Sequence, residues 1–207
     1  MADRITISLI KRFKENIQNE DWGKFYSNLY GVRHGIIPGP DINGTNIGEV
    51  TQVLYEAGLI GAILTSMDHI PSLMFMDTKI NMNITIPSNI LWVEPEAFEK
   101  SSFKKILFNE GCQSIGSECF YGCHNLDGIS LPESLNEIEE RAFLFCTNLT
   151  KIRIPPNVTS MGRQCFEHCD SLKEIEIPIT LKDLITKNRF DENKRVVPPT
   201  VKIIYYS

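Results

Sequence analysis

Six phenylalanines, Phe75, Phe98, Phe120, Phe143, Phe166 and Phe190, recur at spacings of 23, 22, 23, 23 and 24 residues. One template runs between them, clearest in Phe143-Leu-Phe-Cys-Thr-Asn-Leu-Thr-Lys-Ile-Arg-Ile-Pro. Phe120-Tyr-Gly-Cys-His-Asn-Leu-Asp-Gly-Ile-Ser-Leu-Pro and Phe166-Glu-His-Cys-Asp-Ser-Leu-Lys-Glu-Ile-Glu-Ile-Pro repeat it. A unit this short cannot bury an apolar face alone, so successive units must stack around a shared core. Residues 75–190 are thereby constrained to a solenoid.

Within each unit the strand is Ile-x-Ile-Pro or a variant: Ile84–Ile86, Ile106–Phe108, Ile129–Leu131, Ile152–Ile154 and Ile175–Ile177. Alternation sends the flanking apolar residues inward and the middle residue outward. Pro87, Pro132, Pro155 and Pro178 end four of the five strands, because proline has no N–H to donate to a ladder. Parallel strands stacked about 4.8 Å apart turn equivalent positions into columns. A Leu/Ile-rich period of this length is the signature of a leucine-rich-repeat solenoid. The expected fold class is an α/β solenoid of about five turns of 22–24 residues, with an α-helical N-terminal cap and a C-terminal capping strand.

Columns also frame the chemistry of the six cysteines. Cys123, Cys146 and Cys169 share one slot, held earlier by Thr78 and Ser101. Cys119 and Cys165 share another, which Ala142 fills between them; that exchange points to size as the requirement. Cys119-x-x-x-Cys123-His124 and Cys165-x-x-His168-Cys169 resemble halves of a zinc site. They lie two turns apart, roughly 10 Å, beyond the reach of about 2.3 Å Zn–S bonds. The thiols are expected to be structural, buried and reduced, with no metal or cofactor. Cys112 falls outside both slots. The four histidines have no repeated Asp or Ser partner, and no phosphate-cradling glycine loop or His-Glu-x-x-His occurs, so catalytic residues are expected to be none.

Residues 1–74 read as a helical cap or small helical domain, because an open-ended solenoid exposes its apolar end. Ile5, Leu9, Ile10, Phe13, Ile17, Trp22, Phe25, Tyr26 and Leu29 suggest two short amphipathic helices up to Tyr30. A Gly/Pro-rich loop spans residues 31–48. A further helix is expected over Ile47, Val50, Val53, Leu54 and Ala57, stopped by Gly58, and another short one within Leu59–Met76. Residues 191–207 read as a charged loop, then a strand through Val201, Ile203 and Tyr205 that pairs with Ile175–Ile177.

Acidic residues exceed basic ones by 26 to 21, with 9 and 7 before residue 81 and 17 and 14 after it. Neither part is a single-sign field, so nucleic acid is not expected as principal ligand. No basic leader with an apolar run opens the chain and no stretch reaches ~18 uncharged apolar residues, so a cytoplasmic chain off the membrane is expected.

The pattern Phe-x-x-Cys-x-x-Leu-x-x-Ile-x-Ile-Pro-x-x-Val-x-x-Ile/Met-Gly-x-x-Ala/Cys-Phe closely resembles the BspA-like leucine-rich repeats of bacteria, protist parasites and some phages. Departures are Phe103 for Leu in a shortened turn, Cys112 for Val/Leu, and Glu139 where Gly116 and Gly162 stand elsewhere. The resemblance implies the solenoid and protein or matrix binding. Outward strand positions Leu107, Ser130, Arg153 and Glu176, flanked by Lys105, Lys151 and Glu174, are the expected partner-binding face. Trp22, Phe25 and Tyr26 of the helical cap are the secondary candidates. The expected role is a non-enzymatic protein-binding module, more narrowly an inhibitor or scaffold of a larger complex, of the kind phages carry. Two other classes compete with it. One is a structural subunit of an assembly such as a virion, which self-association would reveal. The other is an enzyme with a site between cap and solenoid near Gly31–Gly48, which would require a deep pocket of convergent titratable groups.

Overall fold

The computed structural model describes residues 47–56, 58–187 and 189–207. The two helices expected before Tyr30 and all but the last two residues of the 31–48 loop lie outside it. Those last two residues begin helix α1 (Ile47–Glu56), so the loop ends earlier than its composition implies. Gly58, at φ 71°, follows α1 and its N–H donates to Tyr55 O at 2.8 Å. Helix α2 (Ile60–Thr65) buries Ile60, Ile63 and Leu64. Asn89 Nδ2 donates to Leu64 O and Met67 O at 2.7 and 2.6 Å, tying α2 to the first coil.

Short and long strands then alternate as far as β10: β1 (His69–Ile70), β2 (Asn83–Ile86), β3 (Trp92–Val93), β4 (Lys105–Phe108), β5 (Ser114–Ile115), β6 (Gly128–Ser130), β7 (Glu137–Ile138), β8 (Lys151–Arg153), β9 (Ser160–Met161) and β10 (Glu174–Pro178), with a second long strand, β11 (Lys202–Tyr206), after it. The odd strands from β1 to β9 form one parallel five-stranded ladder, each giving a single inward residue: Ile70, Val93, Ile115, Ile138 and Met161. These strands leave no signal in the sequence, because two residues give no alternation to detect.

The long strands occupy the expected positions. They form two parallel sheets, β2–β4–β6 and β8–β10–β11, rather than one continuous ladder. The break falls between β6 and β8, and β6 opens with Gly128 where β4, β8 and β10 open with Lys105, Lys151 and Glu174. Ile129 and Leu131, the inward pair of this coil, are half-buried there, whereas their counterparts in β2, β4 and β10 are buried.

A third ladder runs along the phenylalanines. Phe75, Phe98, Phe120, Phe143 and Phe166 are fully buried and stack at centroid separations of 4.6 to 5.1 Å, matching the strand spacing. Phe103, the departure in the shortened turn, packs edge-on against Phe75 and Phe98 at 5.5 and 6.0 Å. The residues two before and two after each phenylalanine have left-handed backbone, φ between 53 and 67°. Only Gly122 among these ten is glycine; the others include Glu96, Glu118, Arg141 and Phe145. That conformation costs a side-chain-bearing residue about 1–3 kcal/mol and persists where surroundings enforce it. Here the neighbouring coil enforces it: Glu118, Phe120 and Gly122 donate their N–H groups to Glu140, Ala142 and Leu144 carbonyls at 3.0, 2.8 and 2.8 Å.

Four residues before Phe98, Phe120, Phe143 and Phe166 stand Glu94, Gly116, Glu139 and Gly162 in alternation, with Pro71 in that place before Phe75. Glu94 and Glu139 reach back one coil and accept from Ser72 N–H and Ser117 N–H, both at 2.9 Å. The glycines face the opposite geometry. A Cβ on Gly116 would lie 2.5 Å from Pro95 N, and one on Gly162 would lie 2.2 Å from Glu140 N.

At the C-terminal end β10 runs through a 3₁₀ turn (Ile179–Leu181) into helix α3 (Lys182–Lys187), which buries Ile185. β11 pairs with β10 in parallel, Ile175 opposite Ile203 and Ile177 opposite Tyr205. Phe190 is a correction: it is 83% exposed and not a repeat position. Phe166 N–H donates to Val196 O at 3.0 Å, so Val196 and Val197 fill the slots held elsewhere by Ala142–Phe143. An insertion carrying Phe190 lengthens this last turn, and its 24-residue spacing is coincidental.

Candidate interaction face

Alternation in the long strands puts Lys105 and Leu107 of β4, Ser130 of β6, and Lys151 and Arg153 of β8 on the outer surface, with Glu174 and Glu176 of β10 half-exposed beside them. The break between β6 and β8 divides this set into two halves of different chemistry. Trp22, Phe25 and Tyr26 lie outside the described residues, as does most of the 31–48 segment.

The β8–β10–β11 half is a closed charge network. Lys151 Nζ lies 2.6 Å from Glu176 and 3.6 Å from Glu174, whose other oxygen is 3.0 Å from Lys202. Arg153 pairs with Glu133 at 2.7 Å and sits 4.6 Å above the Tyr206 ring. Three cations thus meet three carboxylates. Lys202 and Lys151 hold the Glu174 carboxyl below its ordinary range, and the Glu176 contact raises Lys151. Exposed pairs of this kind contribute little to stability, but they leave few charges free for a partner.

The β2–β4–β6 half presents Asn83, Thr85, Lys105, Leu107, Gly128 and Ser130. Leu107 is 41% exposed at its centre. Lys105 makes no ion pair among the described residues, and its stem extends over Gly128, 3.9 Å from where a Cβ would stand. Exposed Met82 precedes β2 and accepts from the Tyr55 hydroxyl of α1 at 3.3 Å. The outward positions were legible from alternation; the division was not, because Glu133 and Lys202 lie far along the chain from the residues they neutralise.

All six cysteines are free and buried. Cys123, Cys146 and Cys169 each donate a thiol to the carbonyl of the phenylalanine one coil back (Phe98, Phe120 and Phe143) at 3.1 Å. The column therefore uses a donor as well as a small size, as Thr78 does toward Phe75 O at 2.9 Å. Cys112 joins the inward slot of Ile90, Leu135 and Val158, and burial pushes its thiol up to about 12. Burial also raises Cys119, Cys146 and Cys165. The neighbouring histidines point away: His124 is exposed and bonded to Thr147 at 3.2 Å, and His168 stacks on Phe145 at 4.5 Å. No group of three or more His, Cys, Asp and Glu among the described residues is arranged to hold a metal ion.

One polar cluster escaped sequence reading. His69 Nδ1 lies 2.7 Å from Asp68, its Nε2 lies 3.4 Å from Glu94, and its ring stacks on Trp92 at 4.9 Å. The His69 bond draws Asp68 below its ordinary range. Only the adjacency of Asp68 and His69 signalled it; Glu94 arrives from the next coil, where it also binds Ser72. The cluster fastens β1 to β3.

The profile of the BspA-type leucine-rich repeat region matches residues 68–196 in six copies. Among solved structures, a leucine-rich cell surface protein from Faecalibacterium prausnitzii superposes with TM-score 0.52 at 23% identity, covering 63% of this chain and 33% of that one. The pneumococcal vaccine antigen PcpA gives 0.48 at 24% identity, covering 67% and 38%. A leucine-rich repeat protein from T. pallidum gives 0.42 at 19%, covering 62% and 74%. The chain thus spans about a third of the length of the first two. A comparison with curated proteins returned no match. No helix among the described residues is long and apolar enough to cross a membrane.

Proposed function

This chain belongs to the BspA-type leucine-rich repeat family, and we propose that it acts as a non-enzymatic protein-binding module through the outer face of its long strands. One observation carries the reading. Along the solenoid the inward residues stay apolar, while the outward column changes from Thr85 to Leu107, Ser130, Arg153 and Glu176. Packing explains the constant set, and stacked coils offer the variable set as one extended surface. The narrower form is that the module inhibits or scaffolds a larger cytoplasmic complex.

Affinity capture from cells of the source organism tests it, comparing the wild type with Leu107→Asp/Arg153→Glu. A stoichiometric protein lost from the double variant supports the strand face. Retention of that protein moves the site elsewhere on the chain, and recovery of a larger complex carrying it supports the narrower form.

A second reading, a subunit that self-associates, has one observation in its favour. β11 is five residues long and, among the described residues, no strand pairs with its outer edge. Such an edge is a template for another strand. Sedimentation across a concentration series separates the two readings.

A further inference from the structure

Granting the strand-face reading, we propose that the β2–β4–β6 half alone receives the partner, and that the partner is a protein segment presenting an apolar side chain beside a carboxylate. The argument is one of available chemistry. On the β8–β10–β11 half, Lys151, Arg153 and Lys202 already contact Glu133, Glu174 and Glu176. A partner docking there would have to break those contacts or bury them intact, and buried pairs lose much of their gain to desolvation. On the other half Lys105 has no ion-pair partner among the described residues, and Leu107 is 41% exposed.

Lys105 and Leu107 sit two residues apart on the same face of β4, about 7 Å along the strand. The matching surface is therefore an apolar anchor over Leu107 with a carboxylate about 7 Å away to meet the Lys105 ammonium. Thr85 and Ser130, in register with Leu107 on β2 and β6, supply hydroxyls on either side. The Lys105 stem lies over Gly128. A charge-complementary pair next to a dehydrated apolar anchor is the arrangement of an interface hot spot.

The test is selection of a random dodecapeptide display library on the full chain, then binding measurements with the enriched peptides. Enriched peptides are expected to carry Asp or Glu within three residues of an aliphatic or aromatic residue. Leu107→Asp and Lys105→Glu are each expected to weaken them by at least about tenfold. Lys151→Ala/Glu176→Ala is expected to leave affinity within about twofold, its contacts being rim pairs. Circular dichroism melts confirm that each variant is folded, and Lys105→Ala provides a milder second change.

Binding lost in Lys151→Ala/Glu176→Ala but kept in Leu107→Asp would overturn the choice of half and leave the strand-face reading standing. Peptides insensitive to every variant, or no enrichment, would overturn both. Self-association abolished by Leu107→Asp would make a second copy the occupant and overturn the partner assigned here.

Discussion

The Glu139 carboxylate reaches back one coil and accepts two hydrogen bonds from Ser117, 2.9 Å from its N–H and 2.8 Å from its hydroxyl. Both residues are half-buried, so water replaces the lost acceptor only in part. Glu139→Ala is expected to lower unfolding free energy by about 1–2 kcal/mol, and Glu139→Gln, which keeps an acceptor, by less. Urea unfolding monitored by circular dichroism measures both; equal losses would show that the carboxylate is not what holds Ser117.

Gly162 makes the converse demand. Its missing Cβ would stand 2.2 Å from Glu140 N and 2.4 Å from Glu140 Cα, which belong to a backbone fixed by the ladders. Gly162→Ala is expected to cost about 2–3 kcal/mol through forced backbone displacement. Gly122→Ala, where the nearest contact is the flexible Lys100 stem at 3.1 Å and φ is 66°, is expected to cost about 1 kcal/mol. Thermal unfolding of the pair reverses this order only if the Gly162 backbone can move.

The Cys112 thiol keeps its proton to about pH 12 in the folded chain, against 9.0 ordinarily. Above pH 9 the unfolded chain gains free energy by releasing that proton while the folded chain retains it. Stability from this group is thus complete below about pH 9 and falls between pH 9 and pH 12. The urea midpoint is expected to drop more steeply over this range in the wild type than in Cys112→Ala. Native thiols are also expected to resist an aromatic disulfide reagent at pH 8, with all six reacting after unfolding.

Glu167 grips Arg195 through two bonds, at 2.5 and 2.6 Å, with both side chains mostly buried. This pair fastens the insertion to the last coil. Glu167→Ala is expected to cost about 2 kcal/mol and to expose residues 189–195 to proteolysis before the repeats. Simultaneous cleavage throughout would show that the insertion and repeats open as one unit.

The repeat was legible because its inward residues are dictated by packing: Phe120, Phe143 and Phe166 lie one above another, and any polar substitute would be buried. The features that escaped are those whose partners come from other coils. Glu139 read as a departure from glycine, yet it is a cap whose recipient, Ser117, stands 22 residues earlier. Left-handed residues such as Glu96, Arg141 and Phe145 gave no glycine signal, since their conformation is imposed from the next coil. Phe190 misled because period alone cannot distinguish a stacked ring from an exposed one in an insertion. On the strand face, outwardness followed from alternation, but neutralisation of Arg153 by Glu133 required the fold.

The alternation of Glu94, Gly116, Glu139 and Gly162 gives neighbouring coils different jobs, one clasping and the next making room. Over these four coils the pattern repeats every two: 45 residues from Glu94 to Glu139 and 46 from Gly116 to Gly162. A solenoid built this way lengthens or shortens cleanly only in pairs. Excising a single coil would set two glycines together with no carboxylate for the serine between them, or press two clasps onto one backbone.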